Sequence, residues 1–150
     1  MLRIREKNFP LTGSVYKVAV SGGDMLACVA NQIIAAPFSI IGSIGVIAQV
    51  PNFHRVLKKH DVDFEQFTAG EFKRTVTMFG ENTEEAKSKF REEIEDIHVL
   101  FKDFIVQNRP EVDIAKVSTG ESGPGTRAAE TKPVGRLTTS IYHMRQKAQY

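Results

Sequence analysis

Residues 25–53 carry no Lys, Arg, Asp or Glu, a run of 29 positions, and nothing else in the 150-residue chain restricts its fold as strongly. A run of this length raises a membrane-spanning helix, which needs about 20 consecutive apolar residues. Asn31-Gln32, Pro37, Gln49 and Pro51 interrupt it, and Gly42 and Gly45 break it further. Short apolar runs between turn residues fit buried parallel strands instead, because strands covered on both faces lose their polar alternation. The run is read as the core of a sheet.

The flanking segments alternate in type. Residues 11–20 are rich in β-branched and aromatic side chains and predict a strand, ended by a sharp turn at Gly22-Gly23. A short helix is expected over 25–31, strands over 32–36 and 43–50, a short basic helix over 52–59 and another strand over 63–69. Residues 83–108 give the clearest helix. Ala86, Phe90, Ile94, Ile97, Phe101 and Phe104 form one stripe, Asn82 and Glu85 make an N-terminal cap pair, and Pro110 closes the segment. Strands alternating with helices predict an α/β fold with a largely parallel sheet and packed helices. Residues 118–150 lack a sustained period. They predict a loosely packed tail after a domain at 1–117, with a short helix near 127–130.

Composition narrows the function classes. Twenty basic residues stand against 18 acidic ones, for a net charge of +2, so no basic stripe points to nucleic acid. One cysteine, Cys28, allows neither an internal disulfide nor a cysteine-rich zinc site. His54, His60, His98 and His143 fall in no metal-ligand spacing, so neither a metal nor a cofactor is expected. Residues 1–7 place Leu2 and Ile4 among charges and read as the end of an amphipathic helix rather than a secretion signal. A domain that opens in mid-helix predicts further elements upstream.

The chemically informative segment is Val18-Ala19-Val20-Ser21-Gly22-Gly23-Asp24. A serine at the end of an apolar strand, followed by two glycines and a helix, exposes its hydroxyl and lets a substrate backbone approach. The helix start offers N–H groups to a developing oxyanion. The same residues also serve as ordinary turn chemistry, and both readings stay open on the segment alone. A nucleophilic serine needs a base. No histidine sits in a recognisable motif, which leaves a lysine acting through its neutral amine. Composition does not choose among the lysines.

Several motifs in order do choose. These are Ser21-Gly22-Gly23, Ala36-Pro37, Gly42-Ser43-Ile44-Gly45-Val46 and Thr68-Ala69-Gly70-Glu71-Phe72-Lys73-Arg74-Thr75. With Ala48-Gln49-Val50-Pro51-Asn52-Phe53 and Gly80-Glu81-Asn82-Thr83-Glu84-Glu85, they resemble the signal peptide peptidase A family of bacterial serine proteases, closest to its inner-membrane branch. The resemblance runs over residues 1–121. It implies a ClpP/crotonase-like fold, incomplete at the N-terminus, and a serine–lysine dyad. Ser21 is then the nucleophile, Lys73 the general base, Ser43 the hydroxyl that orients Lys73, and Gly22 the turn residue beside the nucleophile. The Ser21 N–H is expected to supply half of the oxyanion hole, and burial is expected to keep Lys73 neutral.

The resemblance further implies a peptide or protein substrate, a homo-oligomer, and a bacterial inner-membrane location with the protease domain on the periplasmic side. Contact with the membrane would run only through an upstream anchor. The chain departs from the pattern at Asp24, where an aromatic is usual, and a carboxylate there can pair with Lys73. It departs again over Ser122-Gly123-Pro124-Gly125 and Pro133-Val134-Gly135-Arg136, which puts the final strand in doubt. The competing reading is a non-catalytic crotonase-like assembly module or an inactive fragment. Acyl-CoA chemistry on the same scaffold ranks lower, because it does not call for a serine–lysine pair.

Overall fold

The computed structural model describes residues 1–70, 73–130 and 134–148. The chain divides into two units, one of residues 1–45 with the chain from 98 onward, the other of residues 46–97.

In the first unit, α1 (Leu2–Glu6) leads into β1 (Thr12–Val15) and β2 (Val18–Val20). The single strand expected over 11–20 is thus two strands that enter different sheets. Helix α2 (Gly22–Cys28) follows, then β3 (Gln32–Ala35) and β4 (Ile40–Gly42). β1 pairs with β3 in parallel, Thr12 opposite Gln32, and β2 pairs with β4 in parallel, Val18 opposite Ile40 and Val20 opposite Gly42. Each sheet gains a third strand from the C-terminal region. β6 (Arg136–Leu137) joins β3 in parallel, and β5 (Ser122–Pro124) joins β4 antiparallel. Among the described residues the expected single sheet is therefore two three-stranded sheets, ordered β1-β3-β6 and β2-β4-β5.

The expected strand over 43–50 does not form. The element stops at Gly42, because Gly42 (φ 108°) and Ser43 (φ 55°) both take the left-handed conformation and turn the chain out of the ladder.

Residues 118–150 are more than a loose tail. Besides β5 and β6 they carry α6 (Gly125–Glu130) and α7 (Ser140–Lys147), and Ala128 and Val134 are buried in the core. Gly125 shows how tightly this region is seated. A Cβ there would lie 2.6 Å from the Ala36 carbonyl oxygen and 2.8 Å from Ser39 Oγ, and its N–H donates to the Ser39 carbonyl at 2.7 Å.

Two apolar clusters hold α2 between them. Ala27 and Ala30 pack with Val15, Ala19, Ile33 and Ile41, while Cys28 and Val29 pack with Ile44, Phe101, Ile105 and Val112. Phe101 and Ile105 come from α4 (Glu84–Asn108), and the expected stripe residue Ile97 is exposed. The cap of α4 is Thr83, whose hydroxyl accepts the Ala86 N–H at 3.1 Å, rather than Asn82.

In the second unit, α3 (His54–Lys59) and the first part of α4 are the regular elements among the described residues. No strand forms over 63–69, and residues 61–70 are all exposed. Alternation alone does not make a strand without a neighbour to accept its hydrogen bonds. Phe53, Phe64 and Phe79 cluster here, with ring centroids 6.0 and 5.7 Å apart. Among the described residues no helix is long and apolar enough to cross a membrane.

Candidate active site

Ser21 sits between β2 and α2, at the carboxyl end of its strand. Its backbone has φ 51° and ψ −117°, a conformation that a non-glycine residue adopts only under constraint. The sequence places that burden on the glycines, but the structure places it on Ser21. Gly22 is the first residue of α2 and has no positive φ, and a Cβ built on it meets no atom within 4 Å. Gly22 therefore leaves open space beside the serine. The Ser21 residue is exposed.

The turn is pinned from both sides. The Ser21 N–H donates to the Gly42 carbonyl at 3.0 Å, and the Ser21 carbonyl accepts from the N–H groups of Asp24 at 3.0 Å and Met25 at 3.1 Å. The first of these bonds corrects an expectation. The Ser21 N–H is committed to the neighbouring strand and is not aimed at a substrate oxygen.

The same ladder brings the second serine alongside. Val20 is opposite Gly42, so Ser21 and Ser43 leave the carboxyl ends of two adjacent parallel strands together. Ser43 is half-buried and donates its N–H to the Glu121 carbonyl at 2.7 Å. Carboxyl ends of parallel strands are where α/β folds place their reactive groups. The motif spacing pointed to both serines. It gave no sign that the Gly42 and Glu121 carbonyls hold them.

Lys73 lies in the other unit. It is exposed, not buried as expected, and its N–H donates to the Gly70 carbonyl at 3.2 Å. Gly70 has φ 98°, which turns the chain just before it. The motif residues Glu71 and Phe72 lie outside the described residues.

Asp24 is 4% exposed and lines a cavity of about 100 Å³ whose walls include Ile41, Gly42 and Ile44 as well as the charged Lys116, Glu121 and Arg127. Burial pushes its carboxyl up to about 7, and the Arg109 guanidinium pulls in the opposite direction. Arg109 is thus the cation that acts on Asp24. Arg109 also donates to the carbonyls of Ala30 and Asn31, and Arg5 donates to that of Val29 and to Asn108 Oδ1. Arg5 therefore meets the C-cap carbonyl of α2, and Arg109 holds the turn that follows it. Among the described residues no cluster of three or more His, Cys, Asp or Glu could hold a metal ion.

Comparison with known proteins gives the family. The sequence matches peptidase family S49 over residues 3–149, and the chain belongs to that family. It is 57% identical over 138 residues, 92% of the chain, to a Haemophilus influenzae protein named "Probable protease SohB". It is 58% identical over the same share to the Buchnera aphidicola (subsp. Schlechtendalia chinensis) protein of that name. Those matches cover 39% and 45% of the two relatives, so the chain spans about two fifths of their length. A 95-residue stretch is also 38% identical to 13% of a Brucella abortus sequence named "Na(+)/H(+) antiporter NhaA".

Proposed function

We propose that the chain carries the nucleophile of a serine endopeptidase that works through a serine–lysine dyad. Ser21 is the nucleophile, Lys73 the general base, and Ser43 the hydroxyl that orients the lysine amine. The carrying observation is Ser21 itself: exposed, strained, and pinned at the junction of β2 and α2. Membership of a peptidase family and relatives named as proteases support the reaction class.

In this reading the neutral Lys73 amine takes the Ser21 hydroxyl proton as Oγ attacks the peptide carbonyl. The resulting ammonium gives its proton to the leaving nitrogen as the C–N bond breaks, and water hydrolyses the acyl-enzyme. With the Ser21 N–H engaged by Gly42, the oxyanion would meet the N–H of the next residue, Gly22. Paired strands that alternate between two sheets also support a ClpP/crotonase-like fold. Membrane-associated peptide or protein substrates, a homo-oligomeric assembly and an inner-membrane location with the protease domain on the periplasmic side complete the proposal, and they rest on the sequence resemblance.

The test uses a protein of the relatives' full length carrying this segment, assayed on a fluorogenic peptide. Ser21→Ala and Lys73→Ala should each lower turnover by about a thousandfold or more, and the double variant should be little worse, because nucleophile and base act as one unit. Ser43→Ala should cost less, about ten- to a hundredfold. Near-normal turnover by Lys73→Ala would assign the base elsewhere. A fully folded protein with no Ser21-dependent turnover would favour the non-catalytic assembly module.

A further inference from the structure

We propose that α7 is a docking helix for an anionic lipid surface, along which it lies with Ile141 and Met144 at the acyl boundary and Arg145 and Lys147 among the headgroups. The proposal is independent of Ser21 and Lys73, and the contact is separate from any upstream anchor.

The orientation of the helix carries it. Four other helices turn apolar side chains inward. α2 buries Ala27 and Cys28, α4 buries Phe101 and Ile105, α6 buries Ala128, and α5 (Ile114–Val117) packs Ile114 and Val117 against the second apolar cluster. α7 is seated the other way round. The residue it buries is His143, 8% exposed, and neither ring nitrogen has a hydrogen-bond partner among the described residues. Gln146, three residues on and half-buried, accepts from Arg136 Nη2 at 2.7 Å. Ile141, Met144, Arg145 and Ala148 follow the spacing that places them on the opposite side of the helix. All four are exposed, Ile141 by 60% and Met144 by 62%. A single exposed apolar side chain is ordinary, but a buried imidazole beneath an outward apolar strip is not. Water on the outer side makes this seating unfavourable, and an apolar layer there reverses the sign.

Charge identifies the layer. The chain has 20 basic and 18 acidic residues, and residues 131–150 hold Lys132, Arg136, Arg145 and Lys147 but no acidic residue. The rest of the chain is therefore acidic on balance. A negatively charged surface attracts the C-terminal region and repels the remainder, which turns α7 toward it. Arg145 shares the side of Ile141 and Met144, and Lys147 stands at its margin, both exposed. Long basic side chains at the edge of an apolar strip lay their stems along it and reach phosphates with their charged ends. Tyr142, also exposed, stands at the other margin, and its ring suits a zone that is apolar on one side and wet on the other. With eight residues, α7 lies on a bilayer and does not cross it.

The experiment is vesicle co-sedimentation of the 150-residue chain, with vesicles of phosphatidylcholine alone or mixed equally with phosphatidylglycerol. The mixed vesicles should bind the chain at about 50 mM salt, bind it much more weakly at about 500 mM, and bind it at least about tenfold better than the neutral ones. Arg145→Gln/Lys147→Gln should lower partitioning by about thirtyfold. Ile141→Ser/Met144→Ser should lower it by about tenfold or more. Lys58→Gln/Lys59→Gln, on the other basic helix, should change it little. The chain has no tryptophan, so Tyr142→Trp reports on α7 alone, and its emission should shift to the blue when mixed vesicles are added. No binding at low salt, equal binding to neutral vesicles, or binding lost with Lys58 and Lys59 but kept in both α7 variants would each overturn the proposal. So would a Tyr142→Trp emission that ignores lipid. Emission already blue in a lipid-free oligomer would overturn it too, by assigning the strip to a second copy of the chain.

Discussion

The unit that carries Ser21 and Ser43 and the unit that carries Lys73 are built in different ways. Ser21 and Ser43 stand at the ends of paired strands, and each backbone N–H is held by a carbonyl from a distant part of the chain, Gly42 and Glu121 respectively. Lys73 stands in irregular, exposed backbone whose nearest bond is local, to Gly70. Its unit is tied by side-chain amides rather than by a sheet. Asn52 Nδ2 donates to the carbonyls of Thr77 and Gly80, both at 2.9 Å, and Asn82 both accepts from and donates to the Thr77 backbone at 2.9 Å. Strand ladders fix Ser21 and its turn cooperatively. Amide ties fix a loop one bond at a time, so the two sides should respond separately to damage.

The largest expected effect on stability falls on the serine side and depends on pH. Asp24 keeps its proton up to about 7 in the folded chain but loses it near 3.8 when unfolded. Below about pH 4 both states are protonated and the residue costs nothing. Between the two values the unfolded chain is ionised while the folded chain is not, so stability falls as pH rises. Above about pH 7 the cost is complete, at roughly 4 kcal/mol. Urea unfolding of Asp24→Asn should show that slope removed. An unchanged slope would mean that another group carries it.

Gly125→Ala should come next. Its new Cβ would meet backbone and a buried hydroxyl at under 3 Å, which costs about 3 kcal/mol of unfolding free energy. That damage should reach β4 and β5 and leave the 46–97 unit intact. Asn82→Ala is the converse and smaller. Loss of both bonds to Thr77 should cost about 1–2 kcal/mol and speed proteolytic cleavage near residues 73–83, with the two sheets unaffected. Equal loosening of both units by either variant would contradict the contrast.

The same contrast explains how much was legible in the sequence. Elements bounded by local signals were readable: β3 ends before Ala36-Pro37, α3 and α4 carry their charge and apolar patterns, and Ser21 lies where a strand gives way to glycines. Elements that exist only through distant partners were not. β5 is Ser-Gly-Pro and β6 is two residues long, and neither resembles a strand until β4 and β3 supply the ladders. Conversely, residues 63–69 have strand alternation but no strand partner among the described residues, and they stay irregular. Residues 43–50 looked like a strand because they are apolar, yet two consecutive left-handed residues end β4 first. At the site, chemistry was legible from residue types in order. The strain at Ser21 and its bond to Gly42 were not, since both follow from a register that no local window contains.

The central claim is that Ser21 is the reactive hydroxyl. A fluorophosphonate probe, followed by peptide mapping of the adduct in a protein of the relatives' full length carrying this segment, tests it most directly, with Ser21→Ala as the control. The account predicts one adduct, on Ser21, which disappears in that variant and slows in Lys73→Ala. An adduct on Ser43, or none on a protein shown to be folded, would contradict it.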